Sequence, residues 1–265
     1  GLIGHVAHGK STLAKALSKE STAKFRDELK NNMTIKLGYT NFKIYKCSKC
    51  PRPICYQSQS QTDKNIECNH CGEIMKLEKI VCLIDNPGHH DLISTMLSGM
   101  SVIDHTILLV AANDKCPQPQ TSEHFAIASM LGFENNISVI QNKVDLTTPK
   151  TCALQFEDIV NFLGSRKTII PISAQLEYNI DIVCEHLCKI NHKERDNDGD
   201  VVMHIIRSFD INKPHSDAIK LKSGIIGGTL ISGQLNIDDQ IKILPGIIQK
   251  DGKYKPILTS VKSLY

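Results

Sequence analysis

Gly4-His5-Val6-Ala7-His8-Gly9-Lys10-Ser11 fits the spacing G-x-x-x-x-G-K-[ST], that of a loop built to hold phosphate. Four residues between two glycines let the backbone wrap an anion with several N–H donors facing inward. The second glycine lets the main chain approach with no Cβ in the way. Lys10 supplies a point charge for the β- and γ-phosphates, and the Ser11 hydroxyl can join the shell of Mg²⁺. The expected contact run is His8, Gly9, Lys10, Ser11 and Thr12, and Thr12–Leu17 continues as a helix whose positive end faces the anion.

Two further stretches choose the nucleotide. Asp85-Asn86-Pro87-Gly88 ends an apolar run, which puts a carboxylate where it can hold Mg²⁺ through water and the Gly88 N–H where it can meet a γ-phosphate. Asn142-Lys143-Val144-Asp145 follows the run Ile137–Gln141. Guanine presents N1–H and N2–H₂ on one edge, and a carboxylate such as Asp145 accepts both, which no adenine edge requires. Asn142 is expected to tie this loop to the phosphate loop, and the Lys143 stem to lie along the base. Ser173, Ala174 and Gln175 complete the pocket, with the Ala174 N–H donating to guanine O6. Each motif is short, but all of them fall in order at the carboxyl ends of strands, which is where an open α/β sheet binds ligands.

A separate chemistry is carried by Cys47-x-x-Cys50, seventeen residues, and Cys68-x-x-Cys71. Two such knuckles place four thiolates around one Zn²⁺ and leave no open position, so the site is structural. Gly72 follows Cys71, as such turns require. Cys55 and His70 are substitute ligands of lower rank because neither completes a C-x₂-C pair, and a disulfide pair is the competing reading. Cys82, Cys116, Cys152, Cys184 and Cys188 read as small apolar core or surface residues.

The elements that must position these residues alternate. Apolar runs at 79–85, 105–112, 137–141 and 168–172 are separated by helix-patterned segments at 91–102, 121–132, 151–163 and 179–190, which predicts a mostly parallel sheet with helices on both faces. Residues 24–39 show no clean period and read as a mobile loop with short helical pieces. A polar linker at 191–200 leads to short strands at 201–207, 228–232, 240–244 and 257–265, separated by turn signals that include Pro245-Gly246, and these predict a small antiparallel β-barrel. The expected domains are 1–195, with a metal-stapled insert at about 41–78, and 196–265. Both ends read as cut, since only Gly1–Ile3 precede the phosphate loop and the last residues stop inside a strand-like run. With 31 basic and 28 acidic residues the net charge is +3, too little to argue for nucleic acid or a membrane. No apolar run reaches membrane-spanning length, and ten cysteines beside a nucleotide motif argue for a reducing, cytoplasmic setting.

Gly4–Ser11 followed by Asp85-Asn86-Pro87-Gly88-His89 resembles the translational GTPases, the elongation factor Tu family. Within it, Thr34–Tyr39, Cys116–His124, Ile170–Leu176 and Arg207–Pro214 are similar to the gamma subunits of translation initiation factor 2. Ala7 is similar to the eukaryotic version, where other members carry Asp, and it removes a carboxylate from any second metal position. The resemblance implies that Thr34 joins Mg²⁺ when GTP is bound and that His89 orients the attacking water, with His90 a solvated neighbour. It also implies a zinc knuckle, a GTP/GDP cycle, and slow intrinsic turnover raised by a GTPase-activating factor, since no arginine here is an evident finger.

The partners it implies are methionyl initiator tRNA, the alpha and beta subunits of the same factor, the small ribosomal subunit and a nucleotide-exchange factor. Tyr39 is either a stacking platform for the terminal adenosine of tRNA or an ordinary loop tyrosine. Lys43, Lys46, Lys49 and Arg52 form either a phosphate-facing segment or a solvated face. Another tRNA-carrying GTPase, such as a selenocysteine-specific elongation factor, is the rival reading. A GTP-consuming synthetase is a remoter one, because no second catalytic constellation is present.

Overall fold

Strand β1 (Leu2–Gly4) lies at the middle of a seven-stranded sheet of order β3-β2-β4-β1-β5-β6-β7. In this computed structural model the described residues are 1–20, 34–60, 66–164, 167–191, 196–209, 211–212 and 224–264. The other strands are β2 (Gly38–Lys46), β3 (Tyr56–Ser60), β4 (Lys76–Asp85), β5 (Thr106–Ala111), β6 (Ile137–Asn142) and β7 (Ile169–Pro171). The helices are α1 (Lys10–Ser18), α2 (Ile93–Met100), α3 (Pro119–Met130), α4 (Pro149–Leu163) and α5 (Ile180–Lys189). β4, β1, β5, β6 and β7 pair in parallel, whereas β2 runs antiparallel to both β3 and β4.

Alternation in the buried strands divides the core in two. Leu2, Leu109 and Ile140 pack with Leu13 and Leu17 of α1 and Val183 and Leu187 of α5. Ile3, Leu108, Val110 and Val139 point the other way, onto Met96 and Met100 of α2, Ala128 of α3 and Ile159 of α4. β5 and β6 are buried at every position, as strands covered on both faces must be.

β4 differs from the buried strand expected at 79–85. Only Leu83, Ile84 and Asp85 are buried; Leu77 and Ile80 are 49% and 55% exposed. Its first half belongs to the antiparallel wing, covered on one face only, so alternate residues meet water. The insert is likewise part of the sheet and not a body of its own: β2 and β4 pair along its length, and Cys47, Cys55, Tyr56, Cys68 and Met75 join the main core. Of the loop expected at 24–39, residues 24–33 lie outside the described residues, and Gly38 and Tyr39 are not loop but the start of β2, paired with Asp85 and Ile84.

The chain divides into two compact units, Gly1–His192 and Lys193–Tyr265. In the second, β8 (Val202–Phe209) pairs antiparallel with β9 (Ile225–Ser232), and β10 (Gln240–Ile248) with β11 (Tyr254–Ser260). The pairing is antiparallel as expected, and among the described residues it forms two ladders. Pro245-Gly246 is not a turn. It lies in a bulge where Leu244, Pro245 and Gly246 interrupt the register between Ile243 and Ile247. No helix among the described residues is long and apolar enough to cross a membrane.

Candidate nucleotide site and thiol cluster

The carboxyl ends of β1, β4, β5, β6 and β7 bring the expected residues to one edge of the sheet, where the strand order reverses about β1. The loop from Gly4 to Gly9 turns directly into α1. Gly9, at φ 91°, is its N-cap, and a Cβ there would sit 2.2 Å from the Asn142 Nδ2. Ala7 takes the same left-handed region at φ 62°, and so does Lys143 at φ 64°. Non-glycine residues hold that conformation at a cost of order 1 kcal/mol, so the strain borders the cradle on both sides.

Lys10 is buried, and its Nζ donates to the Gly4 and His5 carbonyls at 2.8 and 2.9 Å. Burial pulls its pKa down to about 8, against the raising effect of Asp85. The residues expected to hold Mg²⁺ converge. The Ser11 hydroxyl donates to Asp85 Oδ2 at 2.6 Å and lies 2.9 Å from Thr34 Oγ1, and Thr34 Oγ1 donates to the same carboxylate oxygen at 3.3 Å. Three oxygens at one point beside a helix N-terminus are the hard donors that this cation takes. Gly88 packs against the loop, since a Cβ would meet Lys10 Nζ at 2.5 Å and Val6 N at 3.0 Å. Thr12 is half-buried in the first turn of α1.

On the base side, the Asn142 carboxamide donates to the His8 carbonyl at 2.9 Å and accepts from the Ala174 N–H at 3.0 Å. It thus stitches the phosphate loop to the last loop, and the Ala174 N–H expected to face a base is held by Asn142. Asp145 lies exposed in the short 3-10 turn Val144–Leu146; Ser173 is buried, and Gln175 is exposed. Asp145 and Ser173 line a cavity of about 820 Å³ that extends past Tyr178 to Asn69 and His70 of the insert.

His89 is half-buried at the head of the 3-10 turn His90–Leu92. Its Nδ1 lies 3.3 Å from Asp91 Oδ2, and its ring stacks on His90 with centroids 4.4 Å apart. Tyr39 is half-buried in β2, opposite Ile84. His8 points its ring into the protein, onto the Leu109 carbonyl at 3.0 Å; it can reach an anion through its backbone only.

Sequence reasoning missed the props behind the loop. The Gly4 N–H donates to His124 Nδ1 at 3.0 Å and the Val6 N–H to Gln120 Oε1 at 3.2 Å, both from α3. Burial holds His124 down to about 4, so the ring is neutral and free to accept. Gln155 donates to the Ala111 carbonyl at 2.6 Å and accepts from Gln141 at 2.9 Å, fixing the loops on either side of Asn142. Gln120 and His124 fall in the run Cys116–His124 that carries the resemblance, but nothing in its local pattern gives their backbone partners.

The four expected thiols also meet. Cys47 and Cys71 Sγ lie 3.5 Å apart, Cys50 and Cys68 Sγ 3.7 Å, and all four fall within 4.8 Å of one another. Zn–S bonds of about 2.3 Å in a tetrahedron place sulfurs about 3.8 Å apart, so the donor set fits zinc. All ten cysteines are free thiols, so the disulfide reading does not describe this arrangement. Neither Cys55 nor His70 belongs to the cluster. The Lys49 N–H donates to Cys47 Sγ at 3.4 Å and draws that thiol to a lower pKa, as a knuckle does for a thiolate ligand. Elsewhere burial pushes Cys116 and Cys188 up to about 11 and Cys184 to about 12, which leaves them inert.

The family described as the elongation factor Tu GTP binding domain matches residues 1–193. This chain belongs to that family. It is 44% identical over 277 residues to the eukaryotic translation initiation factor 2 subunit gamma of Schizosaccharomyces pombe, an alignment covering 100% of this chain and 62% of that one. It is 43% identical over 279 residues to subunit 3 of the same factor from Drosophila melanogaster, covering 100% and 58%. The chain thus spans about three-fifths of the length of these relatives. Among solved structures it is similar to translation elongation factor SelB from Methanococcus maripaludis in complex with the GTP analogue GppNHp, with TM-score 0.63 and 23% identity over 92% of this chain and 44% of that one. A bacterial selenocysteine-specific elongation factor gives TM-score 0.68 and 20% identity over 98% and 40%. At that identity these two share the fold of this elongation-factor-family chain.

Proposed function

We propose that the chain is the GTP-binding and GTP-hydrolysing part of a gamma subunit of eukaryotic translation initiation factor 2, working in the cytoplasm. The observation that carries this reading is the meeting of Ser11, Thr34 and Asp85 at the phosphate loop, in a chain over 40% identical to such subunits along its whole length. Lys10 and the loop N–H groups, from His8 to Thr12, take the phosphates, and Lys10 exchanges its two carbonyl partners for phosphate oxygens. Ser11, Thr34 and Asp85 hold Mg²⁺, which when bound neutralises charge on the β- and γ-phosphates. Gly88 N–H faces the γ-phosphate. Asp145 reads the guanine edge, the Lys143 stem covers the base, and Ser173, Ala174 and Gln175 close the pocket. His89 orients the attacking water. Charge stabilisation is the larger part of phosphoryl transfer, so turnover stays slow until an activating factor supplies it. Four thiolates hold one Zn²⁺ and staple the insert.

In this reading the GTP-bound protein carries methionyl initiator tRNA to the small ribosomal subunit, with the alpha and beta subunits and an exchange factor as further partners. Tyr39 is its candidate tRNA contact. Residues 1–195 form the nucleotide domain and 196–265 the barrel domain. A second reading is a selenocysteine-specific elongation factor, whose fold the chain shares at 20–23% identity. Filter binding separates the two: GTP-dependent retention of methionyl initiator tRNA but not of elongator tRNAs supports the initiation reading, and retention of both alike overturns it.

A further inference from the structure

His8 has no solvent exposure. Its Nδ1 lies 3.0 Å from the Leu109 carbonyl, which can only accept, so Nδ1 carries a hydrogen. In the neutral ring Nε2 is then a lone pair. It is buried without a hydrogen-bond partner and lies 3.4 Å from Asp114 Oδ2. A lone pair against a carboxylate oxygen is a mismatched contact, and one added proton turns it into a charge-assisted hydrogen bond.

The charged and titratable groups facing this ring are few. His5 comes from the same loop, with ring centroids 5.2 Å apart; Lys10 comes from α1 and Asp114 from the segment after β5. β5 offers only the Leu109 carbonyl, and β6 offers the Asn142 carboxamide at the His8 backbone. Burial holds the imidazole down to about 4, with His5 and Lys10 acting the same way, while the Leu109 carbonyl and Asp114 oppose it. A polyphosphate in the loop adds the missing term. One negative charge about 6 Å away, at an effective dielectric near 20, raises such a pKa by roughly 2.

We infer that nucleotide binding by this loop is coupled to the uptake of one proton, passed from a buffer acid to His8 Nε2, where it closes an ion pair with Asp114. The inference rests on the reading that the loop holds a guanine nucleotide. The ring gains affinity for protons in the complex, so the coupling favours binding in acid. The gain is lost as pH rises through the pKa of the bound state.

Calorimetric titration of Mg²⁺-GDP into the protein near pH 6, in MES, PIPES and bis-Tris buffers, tests this directly. The slope of observed heat against buffer ionisation heat counts the protons. With the pKa raised from about 4 to about 6, about half a proton taken up per GDP bound is expected at pH 6, falling to about a tenth at pH 7. Asp114→Asn offers a neutral amide donor to Nε2, so it should bind GDP with uptake reduced at least about threefold. Asp114 is partly exposed, so this variant carries the test even if His8→Gln fails to fold. GDP binding with zero slope overturns the inference, as does full uptake retained in Asp114→Asn, which would place the proton on His5, His124 or the phosphate. Failure of any nucleotide to bind removes the nucleotide reading and this inference together.

Discussion

The ribbon of β2 and β4 has two ends that are built in opposite ways. From Gly38↔Asp85 to Lys46↔Lys76 the two strands pair along their whole length. At the Asp85 end, Ile84 and Leu83 are buried, Leu2 of β1 lies alongside, and the carboxylate has no exposure. At the Lys46 end the chain breaks into two tight turns with exposed Ser48, Lys49, Asn69, His70 and Cys71 around the thiols. At one end the packed core holds polar groups ready for a cation; at the other the core reaches Cys47 and Cys68, and the turns beyond it have only the four thiols to join them. Burial positions the Asp85 end by itself, whereas at the thiol end it fixes Cys47 and Cys68 and leaves the exposed turns to a metal.

If this is right, the two ends fail independently. The largest effect is expected from Cys68→Ser. Zinc, measured on protein never exposed to chelator, should fall from one equivalent to well under half, and the insert should become open to proteolysis. GDP binding should survive, weakened only to the extent that Asn69 and His70 line the cavity of Asp145, because the Mg²⁺ residues are held by the core; complete loss would mean that the core does not hold Asp85 by itself. Leu109→Ala is the converse. It removes a fully buried side chain between α1 and α5 and should cost about 2–5 kcal/mol in chemical denaturation while leaving zinc at one equivalent.

His124→Phe leaves the Gly4 N–H without an acceptor and should cost about 1–3 kcal/mol, with weakened nucleotide binding as the specific sign. Acid acts on the same end. Burial holds His8 and His124 down to about 4, below the usual 6.5, so their stabilising neutral forms are fully effective above pH 6.5. The thermal midpoint should drop as pH falls from 6.5 towards 4. Lys49→Ala sits at the small end of the scale. Its ion pair with Glu73 is exposed and should leave zinc content and midpoint unchanged.

Much of this was legible in the residues because the phosphate loop, the Asp85 run, the Asn142 loop and the two C-x₂-C pairs each pack their chemistry into a few consecutive positions. β5 and β6 were legible for a similar reason, since a strand covered on both faces is a continuous apolar run. What escaped is non-local. His124 and Gln120 act on backbone more than a hundred residues away, and no periodicity signals that. The stretch 79–82 of β4 looked buried because Ile80, Val81 and Cys82 continue the apolar run, although only one face of the wing is covered. Pro245-Gly246 carries the residues of a turn but sits in a bulge opposite β11, where Gly246 at φ 89° lies against the Lys255 carbonyl.

The central claim is that a guanine nucleotide sits on this loop with Asp145 as its reader. It is tested most directly by measuring the affinities of GDP, ADP and xanthosine diphosphate for the wild type and for Asp145→Asn. Wild type should prefer GDP over both others, and the variant should lose GDP and gain xanthosine diphosphate, because one acceptor of the pair becomes a donor. Equal binding of GDP and ADP by the wild type, or GDP affinity untouched by the substitution, would contradict it.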